Sequence, residues 1–298
     1  MPDIFKINLP NTSGVNLFIK RDDLLHPIIS GNKFRKLKYN LKEAKTTNQH
    51  TLLTFGGAFS NHIVAVAGAG KEYGFRTIGI IRGEELESKI EENPSLKLAA
   101  SLGMRFKFVD RVSYRNKDTN AFIVRLKQEF GSFYLIPEGG TNALAIKGCE
   151  EILSEETVSF DYVCVAAGTG GTVSGIINSS AAHQKIIGFS SLKGDFLTND
   201  ISKFVTKSNW HINCDYHFGG YGKVSDDLIV FINQFYSEQK IPLDPVYTGK
   251  MMYGIFDMIQ KGQFSKGSNI LAIHTGGLQG IEGMNLKLLA KNKTVLLK

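Results

Sequence analysis

The chain has 298 residues, 35 Lys+Arg against 28 Asp+Glu for a formal charge of +7, and a 42% hydrophobic, 21% charged composition that excludes a disordered polyelectrolyte. Cys149, Cys164 and Cys214 are odd in number and lack CxxC spacing, which excludes a disulfide framework and a zinc site and reads as the reduced thiols of a cytoplasmic protein. The opening MPDIFKINLP has no signal core, and no run nears the ~18 apolar residues of a membrane span, so a soluble, intracellular chain of roughly two domains is expected.

The first informative segment is SGNKFRKLKYNL, residues 30–41. Asn32 or Ser30 can cap a helix here, and Leu37 and Leu41 anchor it at i, i+4 spacing. Lys33, Arg35, Lys36 and Lys38 form the densest basic group, but no RNP-like aromatic pattern or recognition helix accompanies them. Nucleic acid is therefore not the expected partner, and a small anion or a solvated helix face accounts for the charge. Lys33 and Lys36 at i, i+3 depress each other's pKa beside a positive helix end, which suits a bound anion or a nucleophilic amine. A pair of solvated surface lysines is the plain alternative.

Strand-like runs then alternate with helix-like runs, as in βα units around a parallel sheet. The strands are expected at residues 51–55, 76–82, 104–109, 133–136, 161–166, 185–190 and 269–273. In the third, Met104, Phe106 and Phe108 alternate with Arg105 and Lys107, the pattern of a strand near a sheet edge. Among the helices, Asn93-Pro94 opens one that Gly103 closes, Phe122, Leu126 and Phe130 form a stripe ending at Gly131, and Ser225 precedes a stripe of Leu228, Phe231, Ile232 and Phe235. No repeat of 20 to 50 residues is present.

Glycine is 31 of 298 residues, and four of the five Gly-Gly pairs (56-57, 139-140, 170-171 and 276-277) directly follow expected strands. Ligand crevices of open α/β sheets lie at the carboxyl ends of the strands, where glycine admits close approach of backbone amides. After the first strand, FGGAFSNHIVAVAGAG places Ser60 and Asn61 at the start of a small-residue helix, suited to a substrate carboxylate, although Ser60 also reads as a simple N-cap. His62 is given no role. After the fifth strand comes AAGTGGTVSG, where the successive amides of Gly168, Thr169, Gly170, Gly171 and Thr172 can cradle a phosphate. A dinucleotide fingerprint fails at Val173 and Ser190, a Walker loop lacks Gly-Lys-Ser/Thr, and a GxSxG elbow fails at Thr172. A monophosphate site remains, with an unliganded tight turn as the alternative.

Taken together, GNK (31–33), SNH (60–62), GTGGT (168–172), PVYTGK (245–250) and HTGG (274–277) resemble, in order and over nearly the whole chain, the 1-aminocyclopropane-1-carboxylate deaminase and D-cysteine desulfhydrase family. The resemblance implies a pyridoxal 5'-phosphate enzyme of the tryptophan-synthase-β-like fold (fold type II), an α/β homodimer with twisted, mostly parallel sheets. It further implies a larger cofactor-binding domain of residues 1–47 and 148–298 and a smaller one of residues 48–147. By that resemblance Lys33 forms the Schiff base and shuttles protons, the GTGGT loop with Lys36 holds the phosphate, Asn61 contacts the pyridine hydroxyl, Ser60 holds the substrate carboxylate, and Tyr247 and Tyr221 flank the substrate, with Tyr216 as the alternative to Tyr221. Deaminases of the family carry glutamate after the tyrosine, where it keeps the pyridine nitrogen protonated. Thr248 stands there in this chain, with Thr275 also available, and a threonine hydroxyl adds no negative charge. The expected reaction is therefore desulfhydration of D-cysteine to pyruvate, sulfide and ammonia, ahead of ring opening of 1-aminocyclopropane-1-carboxylate to 2-oxobutanoate. A non-catalytic phosphate-binding protein on the same fold is the alternative of another class.

Overall fold

The computed structural model describes residues 3–9 and 14–298. Two sheets organise it. The first contains β3 (Thr51–Gly56), β4 (Arg76–Arg82), β5 (Arg105–Val109) and β6 (Tyr134–Ile136), all parallel, in the order β5-β4-β3-β6. The second holds six strands in the order β1-β2-β10-β7-β8-β9, where β1 is Ile4–Ile7, β2 Asn16–Lys20, β7 Tyr162–Ala167, β8 Lys185–Ser190, β9 Trp210–Asn213 and β10 Asn269–Ile273. Only the β1–β2 pairing is antiparallel among these strands.

All seven strands expected from the sequence are present, within one residue of the expected ends. β1, β2 and β9 were not foreseen; they are four or five residues long and mix polar with apolar positions, so period-2 alternation barely registers. β5 is an edge strand, as its alternating charges imply.

The central strands are buried on both faces, and period 2 sorts their side chains into separate cores. In β7, Tyr162, Cys164 and Ala166 join one cluster with Ile270 and Ala272 of β10. Val163, Val165 and Ala167 join the opposite cluster with Leu271 and Ile273. β3 divides likewise, Leu52 entering one cluster and Leu53 and Phe55 the other. Each of these clusters is completed by helices, which is why the strands read as continuous apolar runs.

The two sheets are wound alike. β3, β4 and β5 step outward in one direction and β6 returns to the other flank of β3; β7, β8 and β9 step outward and β10 returns to the other flank of β7. Each reversal opens a crevice at the strands' carboxyl ends. The four Gly-Gly pairs that follow strands fall at these two reversals, after β3, β6, β7 and β10.

Helices α1 (Asn32–Thr46), α2 (Asn61–Tyr73), α6 (Ala143–Glu150), α7 (Gly171–Ser179) and α10 (Thr248–Gln260) surround the crevices. α3 (Pro94–Ser101) starts from Asn93, whose Oδ1 accepts the Ser95 and Leu96 amides, α5 (Asn120–Phe130) stops at Gly131, and α9 (Asp226–Gln239) is capped by Ser225. α1 departs from expectation. Its N-cap is Gly31 at φ 62°, not Ser30 or Asn32. A Cβ at residue 31 would collide with the Thr275 carbonyl, a long-range constraint that local capping rules do not contain.

Candidate active site

A cavity of about 450 Å3 lies where the two sets of strand ends meet, and Lys33, Ser60, Asn61, residues 168–172, Tyr221, Tyr247 and Thr275 all line it. These come from six separated segments, so the fold assembles what the sequence presents as isolated motifs.

Lys33 occupies the first turn of α1, and its Nζ donates to Asn32 Oδ1 at 3.0 Å. Burial away from bulk solvent lowers its pKa to about 7, helped by the neighbouring Lys36 ammonium, so near neutral pH a large share of the amine is unprotonated and nucleophilic. Asn32 in turn donates to Thr172 Oγ1 at 2.8 Å, tying α1 to the start of α7. Lys36, one turn on, donates to the Gly139 carbonyl at 2.9 Å and the Thr141 hydroxyl at 3.0 Å, with Thr169 Oγ1 at 3.5 Å. Its ammonium thus joins the loop after β6 to the loop after β7, and a Cβ at Gly171 would lie 3.2 Å from it.

α7 begins without a side-chain cap. Gly170 holds the N-cap position at φ 78°, and a Cβ there would lie 2.8 Å from Ile201 Cγ1. The amides of this helix end, uncovered by any side-chain cap, are donors that could hold an anion.

α2 begins differently, with Ser60 Oγ accepting the Ile63 amide at 3.4 Å. Two buried atoms on this side have no hydrogen-bond partner among the described residues, Asn61 Oδ1 and His62 Nδ1, and both residues line the cavity. Thr54 Oγ1 donates to the Ile136 carbonyl and lies 2.8 Å from His62 Nε2, which fixes the imidazole ring against β3. Burial, then the charges of Lys33 and Lys36, push the His62 pKa down and keep it neutral. His62 is the lining residue to which sequence reasoning gave no role; its one signal was adjacency to Ser60 and Asn61.

On the opposite wall Tyr247 and Tyr221 meet edge to face with centroids 6.1 Å apart. Burial, then Tyr221, raises the Tyr247 pKa, so this phenol stays protonated. Lys250, three residues beyond Tyr247, donates to the carbonyls of His217 and Gly220 at 2.8 and 2.9 Å and thereby fixes the loop that carries Tyr221. Tyr216 is not its rival: it donates to Asp257 at 2.6 Å and does not line the cavity.

Thr248 also lies outside the cavity lining, against expectation. Its hydroxyl donates to Asp244 Oδ2 at 2.8 Å and accepts the Asp244 amide at 2.9 Å. Buried Asp244 further accepts the amides of Val246, Tyr247 and Thr248 and so caps α10 from below. The hydroxyl facing the cavity is that of Thr275, which has no protein partner among the described residues.

A fold of two co-wound α/β sheets, with a lysine amine and a bare glycine-rich helix end at their junction, defines a class of phosphate-cofactor enzymes. The family model described as pyridoxal-phosphate dependent enzyme matches residues 6–276, and the chain belongs to that family. It is 33% identical to a putative 1-aminocyclopropane-1-carboxylate deaminase of Pyrococcus horikoshii, over 95% of this chain and 91% of that one. A bifunctional D-cysteine desulfhydrase/1-aminocyclopropane-1-carboxylate deaminase of Arabidopsis thaliana is 32% identical over 93% of this chain and 76% of its own, and a D-cysteine desulfhydrase of Salmonella newport is 28% identical over 89% and 87%. A crystal structure of an ACC deaminase homologue superposes with TM-score 0.81 at 30% identity, covering 97% of this chain and 93% of the other. The cofactor is pyridoxal phosphate, and the site fits it: a buried amine of lowered pKa, an uncapped helix end that could take the phosphate, and a buried polar atom without a partner on Asn61, which lines the cavity.

Proposed function

We propose that this protein is a lyase of the D-cysteine desulfhydrase type, releasing pyruvate, sulfide and ammonia from D-cysteine. Pyridoxal phosphate, when bound, supplies the electron sink for the substrate carbanion. In this reading the amides of residues 168–172 and the Lys36 ammonium hold the phosphate, and Asn61 contacts the ring hydroxyl. The Lys33 amine, poised near pKa 7, would form the covalent link and then accept the α-proton, which the sulfur takes up as it leaves as sulfide. Ser60 and the first amides of α2 hold the substrate carboxylate, while Tyr247 and Tyr221 close over the substrate from the opposite wall.

The observation that carries the choice of reaction concerns the ring nitrogen. Position 248 carries a threonine whose hydroxyl is spent on Asp244, and Thr275 presents the available hydroxyl. Glu138, the one carboxylate lining the cavity among the described residues, lies 3.4 Å from the Lys117 ammonium. No free carboxylate is left to hold a proton on that nitrogen, which suits elimination of a good leaving group better than ring opening without an α-proton. Ring opening is the second reading, favoured by the 33% identity to the Pyrococcus horikoshii protein. We also assign residues 1–47 with 148–298 to a larger domain and 48–147 to a smaller one, supported by the containment of β3 to β6 within the latter. A cytoplasmic homodimer completes the proposal.

The test is the visible spectrum of the purified protein before and after D-cysteine, with sulfide and pyruvate assayed in parallel. A cofactor band that shifts with formation of both products is expected, and Lys33→Ala should remove the covalently held band and lower turnover by about four orders of magnitude. A band indifferent to D-cysteine, with 2-oxobutanoate formed from the cyclopropane amino acid, would reverse the choice between the two readings.

A further inference from the structure

A second cavity, of about 510 Å3, opens beside the first and shares Gly57, Ala58, Arg82 and Glu138 with it. Its remaining wall comes largely from α4 (Arg111–Arg115) and the turn after it, where Arg111 and Arg115 share one helix face at i, i+4 and Lys117 follows. Arg111 is spent on Glu85, 2.5 Å away. Lys117 lies 3.2 Å from Asp118 and 3.4 Å from Glu138. Arg82 and Arg115 have no carboxylate within ion-pair distance among the described residues. Tyr114, 3% exposed, lines the same cavity, and burial with the Glu138 carboxylate beside its hydroxyl keeps the phenol protonated. The Arg82 guanidinium and the Lys117 ammonium lie 5.7 and 5.4 Å from the centre of its ring. Two exposed guanidinium groups without a carboxylate partner, at the mouth of the main cavity, are a donor set that an anion can bridge.

We propose that the preferred substrate carries an anionic β-substituent, which Arg82 and Arg115 hold in this vestibule while the amino-acid end occupies the main cavity. The proposal rests on the elimination reading above and names the substrate class. For a phosphate ester the balance is simple. The Cα–H bond gives up its proton to a base of the site, its electron pair forms the Cα–Cβ double bond, and the Cβ–O bond breaks with its electron pair leaving on phosphate. Water then hydrolyses the released enamine to pyruvate and ammonium.

The experiment compares O-phospho-D-serine with neutral β-chloro-D-alanine on the holoenzyme, since both yield pyruvate. The ratio of their kcat/KM values in a variant, relative to wild type, cancels the intrinsic reactivity of the two leaving groups. In Arg115→Ala and in Arg82→Ala this ratio should fall about tenfold. In wild type it should fall as salt rises from about 0.05 to 0.5 M, because the vestibule is open to screening. A ratio equal in wild type and both variants, with pyruvate still formed from β-chloro-D-alanine, overturns the vestibule and leaves the elimination reading intact. Pyruvate from neither compound overturns that reading instead. Calorimetric titration then decides the vestibule: O-phospho-D-serine binding about tenfold more weakly to Arg115→Ala supports it, and equal Kd values refute it.

Discussion

The loop between β3 and α2 and the loop between β7 and α7 hold equivalent places in two sheets of the same winding, yet they end differently. After β7, Gly170 in the left-handed region starts the helix with no side chain over its amides. After β3, Ser60 covers the helix end with its own hydroxyl. A helix terminus that carries no cap of its own keeps its donors for a ligand, whereas a capped one keeps fewer and offers side chains instead. The first arrangement suits a dianion held throughout turnover, the second a monoanionic carboxylate that must enter and leave.

Making the α7 end resemble a capped one should have the largest effect. Thr169→Asp places a carboxylate beside Lys36 and the free amides, and the cofactor should dissociate about a hundredfold more readily while the apoprotein gains about 1 kcal/mol. Equilibrium dialysis and thermal melts read both changes, and unchanged retention would show that phosphate is not held there. Making the α2 end resemble a bare one should matter less. Ser60→Ala should cost about 1 kcal/mol of stability and raise KM about tenfold without release of cofactor; a fall in cofactor retention would place Ser60 on the cofactor side. The mildest probe is pH. Because burial and Lys36 hold Lys33 near 7, capture of pyridoxal phosphate by the apoprotein should accelerate as pH rises through about 7 and level off above it. Stopped-flow absorbance would show it, and a midpoint above 9 would mean that the amine is solvated.

What the sequence made legible was whatever is encoded locally. β3 and β7 are buried at every residue and mostly apolar because both faces are covered, and the Asn93, Ser60 and Ser225 caps act within three residues of themselves. What it hid depends on partners far along the chain. Gly31 replaces an expected polar cap because of the Thr275 carbonyl, and the setting of the His62 ring depends on Thr54, itself committed to Ile136. Thr248 was placed by motif, but the direction of its hydroxyl is set by Asp244. That carboxylate had a readable signal, an acidic residue before proline four positions ahead of a helix start, which was not used.

The strand order also constrains how the molecule can be made. β10 separates β2 from β7, so residues 16–20 can pair with β1 and residues 162–167 with β8, but the two pairs cannot join until residues 269–273 exist. The four strands of the other sheet all lie between residues 51 and 136 and can complete their ladder while the ribosome is still translating the rest. During that interval β2 keeps an open edge, and the apolar stripe of Leu17 and Ile19 that is fully covered in the finished molecule lies uncovered. For nearly half of its synthesis, the polypeptide thus holds one finished sheet beside an adhesive strand pair, which makes the late stages of translation the period when chaperone contact matters most.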